Sequence, residues 1–304
     1  MFFQNINFTL FREYFLASAM LLLMGIFSIV TQDIEIILPE LGALCVGCFI
    51  YKKSSWISNS RALFILPSIT AFLGFGINML SIKLEFKIAL VLLLIFLLFY
   101  FSKNVLAPAI ATGLLPIITN CHSIYFLIST VVFTLLLSFI VQIKYKTDDK
   151  MPKEIVSFRT FFAYFSIIII WLSFCYYNNY TFMLAIPPVI VVGLEMISLA
   201  EIKLKPILIK AFLLVASAII GGFLTLYLTN LLLLLLVDFV AISLFLAIFK
   251  QKMAPAYAIA MLPILLENKS PFVFGIYVLI ICSAIFGGAF LSKYVFNKYI
   301  AKRS

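Results

Sequence analysis

Charged residues and histidine are scarce in this chain. Only 11% of its 304 residues are Asp, Glu, Lys or Arg, and His122 is the one histidine. Soluble domains carry about 25% charged residues, so this composition excludes an ordinary soluble fold. The G-x-x-x-x-G-K-[ST], H-E-x-x-H and G-x-S-x-G motifs are absent, which argues against phosphate-loop, zinc-peptidase and serine-hydrolase chemistry. We therefore expect no enzymatic activity, no catalytic residue, no metal site and no cofactor.

Cysteine is also sparse, with five residues in the chain. Cys45 and Cys48 form a C-x-x-C pair inside an apolar run, and no second pair accompanies it. One pair and a single histidine do not complete a zinc site. We expect both cysteines to pack as small apolar residues.

Apolar residues dominate what is present. The composition is 65% hydrophobic and the mean hydropathy is +1.20. Apolar runs recur along the chain and approach the ~20 residues that a helix needs to cross a bilayer. Runs such as Leu231–Val237 are continuously apolar, without the alternation of a membrane β-barrel. The sequence therefore predicts an all-α polytopic membrane protein embedded in the lipid bilayer.

One motif occurs twice. Ala107–Ile117 (APAIATGLLPI) recurs 147 residues later as Ala254–Ile264 (APAYAIAMLPI), with seven of eleven positions identical. Gly74 and Gly221 match at the same offset. Gly74 and Gly76, within one apolar span, are expected to allow close helix approach. A recurrence at about half the chain length indicates two copies of one unit.

Each copy is predicted to hold about six membrane segments, one of them a short or broken helix. The first membrane repeat is 1–143, a cytoplasmic linker is 144–159, and the second repeat is 160–304. Six crossings per unit favour parallel repeats, related by an axis along the membrane normal. In the alternative, 105–119 and 253–266 are re-entrant, each unit has five spans and the second unit is inverted.

The basic residues favour the crossing alternative. Net charge is +10, which in a soluble protein would suggest nucleic acid. Here the Lys and Arg residues lie in short loops, so we expect no nucleic-acid partner. We interpret these basic loops as the signal that sets the orientation of the chain in the membrane. With every segment crossing, only Lys83, Lys87 and Lys269 of the 22 basic residues lie outside. We predict a multi-pass protein of the cell membrane with cytoplasmic N- and C-termini.

Two acidic residues lie within apolar spans. Asp238 is in LLLLLLVDFVAISLFL, and Glu195 is in VVGLEMISL. An ionisable group at the bilayer centre costs at least ~2.5 kcal/mol and is a functional hypothesis by default. We predict that Asp238 and Glu195 serve proton coupling. The alternatives are a hydrogen-bonded neutral Asp238 and a Glu195 that reaches the interface.

A further acidic residue, Glu40, directly follows Pro39 in the second segment. Pro187 and Pro188 stand in the corresponding segment of the second unit. An acid in the first turn of a helix is favourable on dipole grounds alone, which is the alternative for Glu40. We predict that Pro39, Glu40, Pro187 and Pro188 are pore or gate residues.

The two motif helices are the candidates for substrate binding. A short helix that begins inside the membrane presents free N–H groups and a positive end, which suit an anion. Two such helices related by pseudo-symmetry would converge near the bilayer midplane. The alternative is that they are ordinary kinked packing helices. The predicted substrate-binding residues are Pro108, Ala109, Thr112, Pro116, Pro255, Ala256, Tyr257 and Pro263.

The first unit reads L-P-E-L-G-A-L-C-V-G-C-F-I from Leu38 and K-N-V-L-A-P-A-I-A-T-G-L-L-P-I from Lys103. These segments resemble the HPP family of integral membrane proteins, which has a P-x-G-A segment and a later H-P-P-A-G-A-T-A-L-L-P-like segment. The resemblance implies transport of a small anion, since some plant and cyanobacterial members transport nitrite. The His-Pro-Pro itself is L-A-P at 106–108 and M-A-P at 253–255. A weaker likeness is to aromatic-acid exporter-type proteins with tandem six-span units.

These observations predict a permease for a small anion or organic acid, passive or proton-coupled, with its site between the two repeats. A small-molecule or anion substrate and the bilayer are the expected partners, and a homo-oligomer is compatible with the sequence. One alternative is an exporter of aromatic or hydrophobic compounds. The other is a membrane scaffold or partner subunit that transports nothing.

Overall fold

The computed structural model describes residues 8–145, 156–180, 184–199, 201–266 and 270–301, and these ranges are mostly helical, with no strand. They contain thirteen α-helices. In chain order these are α1 (Phe8–Thr31), α2 (Pro39–Cys45), α3 (Ser54–Ile57), α4 (Ser60–Asn78), α5 (Leu84–Ser102), α6 (Pro108–Ile118), α7 (Ile124–Tyr145), α8 (Phe158–Tyr177), α9 (Pro187–Ile197), α10 (Leu204–Tyr227), α11 (Leu231–Ile248), α12 (Pro255–Met261) and α13 (Pro271–Ala301).

Eight of the described helices are long and apolar enough to cross a membrane: α1, α4, α5, α7, α8, α10, α11 and α13. At a rise of 1.5 Å per residue, helices of this length reach the ~30 Å of a hydrocarbon core. Their outward faces carry large apolar side chains, among them Phe101, Ile170 and Ile248, which are more than 70% exposed. Because such faces are stable only in lipid, the chain is a multi-pass integral membrane protein.

Four shorter helices, α2, α6, α9 and α12, lie inside the shell of long ones. Each begins with proline at its first turn, and nearly all of their residues are buried. A π-helical turn (Val46–Ile50) extends α2, and a 3₁₀ turn (Leu262–Ile264) extends α12. Proline fits a first turn because its missing N–H would be unpaired there anyway.

The segments that hold Pro39 and Pro187 were expected to be full spans, and the structure shows short helices there instead. Only one short helix per half was expected, whereas each half has two. Pro39 and Pro187 explain the difference, since each starts its helix late and is preceded by extended backbone. Residues 181–183 lie outside the described part of the chain.

The loops gather at two opposite ends of the bundle. At one end, Glu35 accepts a hydrogen bond from the backbone N–H of Ser123, at 3.0 Å. At the other, Lys53 pairs with Glu195 at 2.9 Å. We call them the acidic end, which holds Asp33 and Glu35, and the basic end, which holds Lys53. Successive connections alternate between the two ends.

The two motif helices follow this alternation. Lys252, before α12, lines a cavity with Glu195 at the basic end, whereas Leu265, after α12, lines one with Glu35 at the acidic end. Residues 253–266 therefore run the length of the bundle. After α6, Cys121 donates its thiol hydrogen to Glu35 at the acidic end, at 3.3 Å. Both motif segments therefore end at the acidic end of the bundle.

The long helices approach the motif helices through small residues. Gly74 of α4 lies against the carbonyl oxygen of Gly113 in α6, and Gly221 of α10 lies against that of Ala260 in α12. A Cβ atom at either glycine would overlap that oxygen. The prediction of close helix approach is confirmed for Gly74 and wrong for Gly76, where a Cβ atom would meet nothing within 4 Å because this face of α4 is open.

The four short helices contact one another in a ring. Helix α2 packs on α6 and α12, and α9 packs on the same two helices. Helix α4 covers α6, and α10 covers α12. The centre of the protein is therefore built from short helices whose ends and adjoining extended residues lie within the bundle.

Candidate functional site

A large cavity opens at the acidic end. Its volume is about 1080 Å³. The ends of α6, α10 and α12 and the start of α13 form its wall. Its lining includes Glu35, Thr119, Asn120, Thr225 and Pro263. A neighbouring cavity of about 190 Å³ shares the lining residues Ile118, Leu266 and Phe274 and reaches Ile186 at the start of α9. Water-soluble solutes can therefore approach the ring of short helices from this side.

A smaller cavity of about 230 Å³ lies at the basic end. It is bounded by the residues that follow α2, the end of α9, the first part of α10 and the start of α12. Its lining residues are Gly47, Tyr51, Lys53, Trp56, Val192, Glu195, Lys210, Lys252, Met253, Ala254 and Pro255. Among the described residues, three lysines and one glutamate line it, which gives this lining a net charge of +2.

The predicted residues of the first motif are buried in α6. Pro108, Ala109, Thr112 and Pro116 are all buried, and none lines the cavities described above. The Thr112 hydroxyl donates to the Pro108 carbonyl at 3.3 Å, within its own helix. These residues are therefore packed within the interior of the bundle.

The second motif touches both cavities. Pro255 lines the basic-end cavity and Pro263 lines the acidic-end cavity, while Ala256 is fully buried. The Tyr257 hydroxyl shares a hydrogen bond of 2.9 Å with Ser243 of α11. It also interacts with the hydroxyl of Tyr51, a lining residue of the basic-end cavity. Tyr257 is thus a buried polar link from α11 to that cavity.

Two buried carboxyl groups have oxygens that lack a hydrogen-bond partner. Both carboxyl oxygens of Glu40, in the first turn of α2, and Oδ1 of Asp238, in α11, have no hydrogen-bond partner among the described residues. Asp238 lines none of the cavities above. A buried polar group without a hydrogen bond is destabilising by about 1–3 kcal/mol. Groups retained at such a cost are candidates for function.

Glu195 takes part in an ion pair at the basic end of the bundle. It pairs with Lys53 across 142 residues of sequence and lies at the mouth of the basic-end cavity. The pair joins the segment after α2 to α9. Pro187 and Pro188, by contrast, are buried at the start of α9, where the preceding Ile186 lines the smaller acidic-end cavity.

Sequence reasoning missed Lys53 and Lys210. Lys53 was taken as one of several loop cations, and Lys210 was not singled out, although it lies within the apolar run that forms α10. A cation inside an apolar helix was the available signal for Lys210. No sequence signal places Lys53 beside Glu195, because the contact depends on the packing of α9 against the rest of the ring.

Cysteine and histidine take the expected packing and surface positions. Cys45 and Cys48 are free and buried, and His122 is exposed in the loop after α6. Burial, together with the adjoining Glu35 carboxylate, raises the pKa of the Cys121 thiol to about 12. Cys121 is therefore a protonated donor to Glu35 and not a nucleophile at neutral pH.

Comparisons with protein-family models, with curated proteins and with solved structures gave no match. The function of the chain is therefore argued from the ring of short helices and its two cavities.

Proposed function

We propose that the chain is a membrane transporter for a small anion or organic acid, whose path runs through the ring formed by α2, α6, α9 and α12. One observation carries the proposal: four proline-initiated short helices meet between cavities that open at opposite ends of the bundle. Broken helices at the centre of a membrane protein are typical of substrate sites in transporters. A scaffold has no evident need for them.

The two cavities support one step of a transport cycle. The acidic-end cavity, at about 1080 Å³, is more than four times the size of the basic-end cavity, at about 230 Å³. At the basic end, the Lys53–Glu195 ion pair links the two halves of the chain. The arrangement is that expected of a conformation more widely open at the acidic end than at the basic end. We take the basic end as cytoplasmic, following the positive-inside rule.

The charge placement supports this orientation. Lys83 and Lys87, two of the three basic residues expected outside, lie at the acidic end. Lys87 donates to the Asn78 carbonyl there at 2.6 Å, and Lys83 contacts the ring of Tyr176. The third, Lys269, lies outside the described residues, as do residues 146–155 of the expected linker 144–159.

The internal repeat is part of the proposal. Gly74 meets Gly113, and Gly221 meets Ala260, and both members of the second pair follow the first by 147 residues. Helices α4 and α6 therefore cross as α10 and α12 do. Two parallel units, 1–143 and 160–304, would place the substrate path on the axis between them. Membership of the HPP family remains a prediction from the resemblance.

The test is uptake of radiolabelled formate and nitrite by proteoliposomes that contain the purified full chain. Protein-free liposomes are the control for passive leak of the acids. We expect saturable uptake several-fold above the control. If neither anion, nor a panel of other small organic acids, enters faster than in the control, the proposal is wrong. In that case, flux of hydrophobic aromatic compounds separates the exporter alternative from the scaffold alternative.

A further inference from the structure

The basic-end cavity combines cationic groups with a hydrogen-bond donor that has no acceptor. Lys53, Lys210 and Lys252 line it together with the single carboxylate Glu195. Trp56 also lines it, and the indole N–H of this buried residue has no acceptor among the described residues. A buried donor without an acceptor is destabilising, so a ligand that accepts a hydrogen bond would stabilise this site.

The positions of Lys53 and Trp56 are fixed by packing. The Lys53 ammonium lies 4.3 Å from the centre of a Trp56 ring and 2.9 Å from Glu195. The six-membered ring of Trp56 packs against Gly47, where a Cβ atom would overlap it. Because Gly47 admits the ring, the indole is held at the cavity wall and Lys53 is held above it.

The cavity excludes some ligands by charge and size. The net charge of +2 on its described lining repels cations and attracts anions, most strongly those with two negative charges. Its volume of about 230 Å³ equals that of roughly seven or eight liquid water molecules at about 30 Å³ each. A tetrahedral oxyanion fits this space with part of its hydration, whereas a bulky molecule does not.

We propose that the basic-end cavity binds a doubly charged oxyanion, of the class of inorganic phosphate or a phosphate monoester. Lys210 and Lys252 supply charge, the Trp56 indole donates a hydrogen bond, and the anion competes with Glu195 for the Lys53 ammonium. Binding would therefore loosen the ion pair that links the two halves at the basic end. The inference rests on the proposed function in one respect, because it assigns the substrate class at the cytoplasmic mouth of the path.

The binding test uses the full chain in nanodiscs of phosphatidylcholine and isothermal titration with inorganic phosphate, sulfate and nitrate at matched ionic strength. We expect phosphate and sulfate to bind at least tenfold more tightly than nitrate. Lys210→Gln and Lys252→Gln should each weaken phosphate binding about fivefold to tenfold. Lys205→Gln and Lys250→Gln are the matched controls, since both residues are exposed and outside the lining, and they should leave the Kd within twofold.

Two variants test whether phosphate is bound by specific contacts in the cavity or only by its general positive charge. Trp56→Phe removes the indole N–H and shortens the aromatic side chain, so phosphate should bind several-fold more weakly. Glu195→Gln removes the competing carboxylate, so phosphate should bind several-fold more tightly. Absence of phosphate and sulfate binding, or equal weakening in the lining and control lysine variants, would overturn the proposal.

The lipid composition of the nanodiscs distinguishes two sources of the bound group, a lipid headgroup and the free anion. In nanodiscs with phosphatidic acid, a lipid headgroup that occupies the cavity would compete with added phosphate and raise its apparent Kd, and Lys210→Gln would abolish the competition. Without competition, the ligand is the free anion. Failure of phosphate binding alongside saturable formate uptake would reject this site and keep the proposed transport. Phosphate binding without flux of any small anion would keep this binding site and reject the proposed transport.

Discussion

Gly74 of α4 lies so close to the carbonyl oxygen of Gly113 in α6 that a Cβ atom at position 74 would overlap it. The side chain of Pro116 is 3.0 Å from the same Cβ position. Because both neighbours belong to the rigid backbone and ring of α6, they cannot move away as a flexible side chain would. This contact sets the distance at which α4 covers the central ring.

Gly74→Ala is therefore expected to destabilise the protein by about 1–3 kcal/mol, as overpacked cores do. Gly76→Ala is the matched control, because a Cβ atom at position 76 meets nothing within 4 Å. Alanine there should be neutral or stabilising, by roughly 0.5–1 kcal/mol within a helix. The measurement is thermal unfolding in detergent, with the fraction of protein that stays monodisperse as the readout. Equal stability of the two variants would contradict the packing described for Gly74.

Gly221→Ala tests whether the second half is built in the same way. A Cβ atom at position 221 would overlap the carbonyl oxygen of Ala260, so the loss of stability should be similar to that of Gly74→Ala. Gly287→Ala, in α13, is the control, since it too meets nothing within 4 Å. A loss in one half alone would argue against two equivalent crossings.

The Lys53–Glu195 ion pair is expected to contribute little to stability. Its side chains are 33% and 27% exposed, and partly exposed pairs typically contribute about 0.2–1 kcal/mol. A double-mutant cycle with Lys53→Gln and Glu195→Gln should give a coupling free energy in that range, smaller at high salt. A coupling above about 2 kcal/mol would mean that the pair holds the fold together, and would speak against its opening during transport.

The hydrogen bond between Tyr257 and Ser243 is expected to matter more than an ordinary surface contact. Tyr257 is buried and its hydroxyl lies 2.9 Å from that of Ser243. Tyr257→Phe and Ser243→Ala should each lower the free energy of unfolding by about 1 kcal/mol. Tyr125→Phe, at an exposed position, should change it little. If Tyr257→Phe is as stable as this control, the hydroxyl has no structural role.

Cys121 is expected to resist alkylation at ordinary pH. Burial and Glu35 raise the pKa of its thiol to about 12, so about 10⁻⁴ of it is thiolate, the reactive form, at pH 8. Glu35→Gln removes the neighbouring negative charge, so it should lower the pKa and shift the labelling curve to lower pH. Mass spectrometry of iodoacetamide-treated protein between pH 7 and 10 gives the measurement. Rapid labelling of the folded wild type at pH 8 would refute the assignment.

Composition and periodicity predicted much of the fold. The all-α class, the multi-pass course and the breaks at Pro108 and Pro255 follow from apolar run lengths and from the fixed geometry of proline. The short α2 and α9 were missed because Pro39 and Pro187 lie inside runs whose total length is that of a full span. Composition cannot tell a long helix from an extended segment followed by a short one.

The candidate site was harder to predict, because it depends on contacts between distant segments. Lys53 and Glu195 are 142 residues apart, and their meeting follows from how the ring of short helices closes. Thr112, which sequence reasoning assigned to the substrate, instead bonds within its own helix, as threonine commonly does at helix interiors. The close contact at Gly74 was predictable from glycine in an apolar span, but the same reasoning failed for Gly76, because sequence does not tell which face of the helix is covered.

The central claim is transport through the ring, and the buried carboxyl groups offer its most direct test. The measurement is the initial rate of formate and nitrite uptake into proteoliposomes, with and without an inward proton gradient, for wild type, Asp238→Asn and Glu40→Gln. The account predicts saturable wild-type uptake that the gradient accelerates, and at least one variant that folds normally but has lost the acceleration. Wild-type uptake no faster than in protein-free liposomes, under either condition, would contradict it.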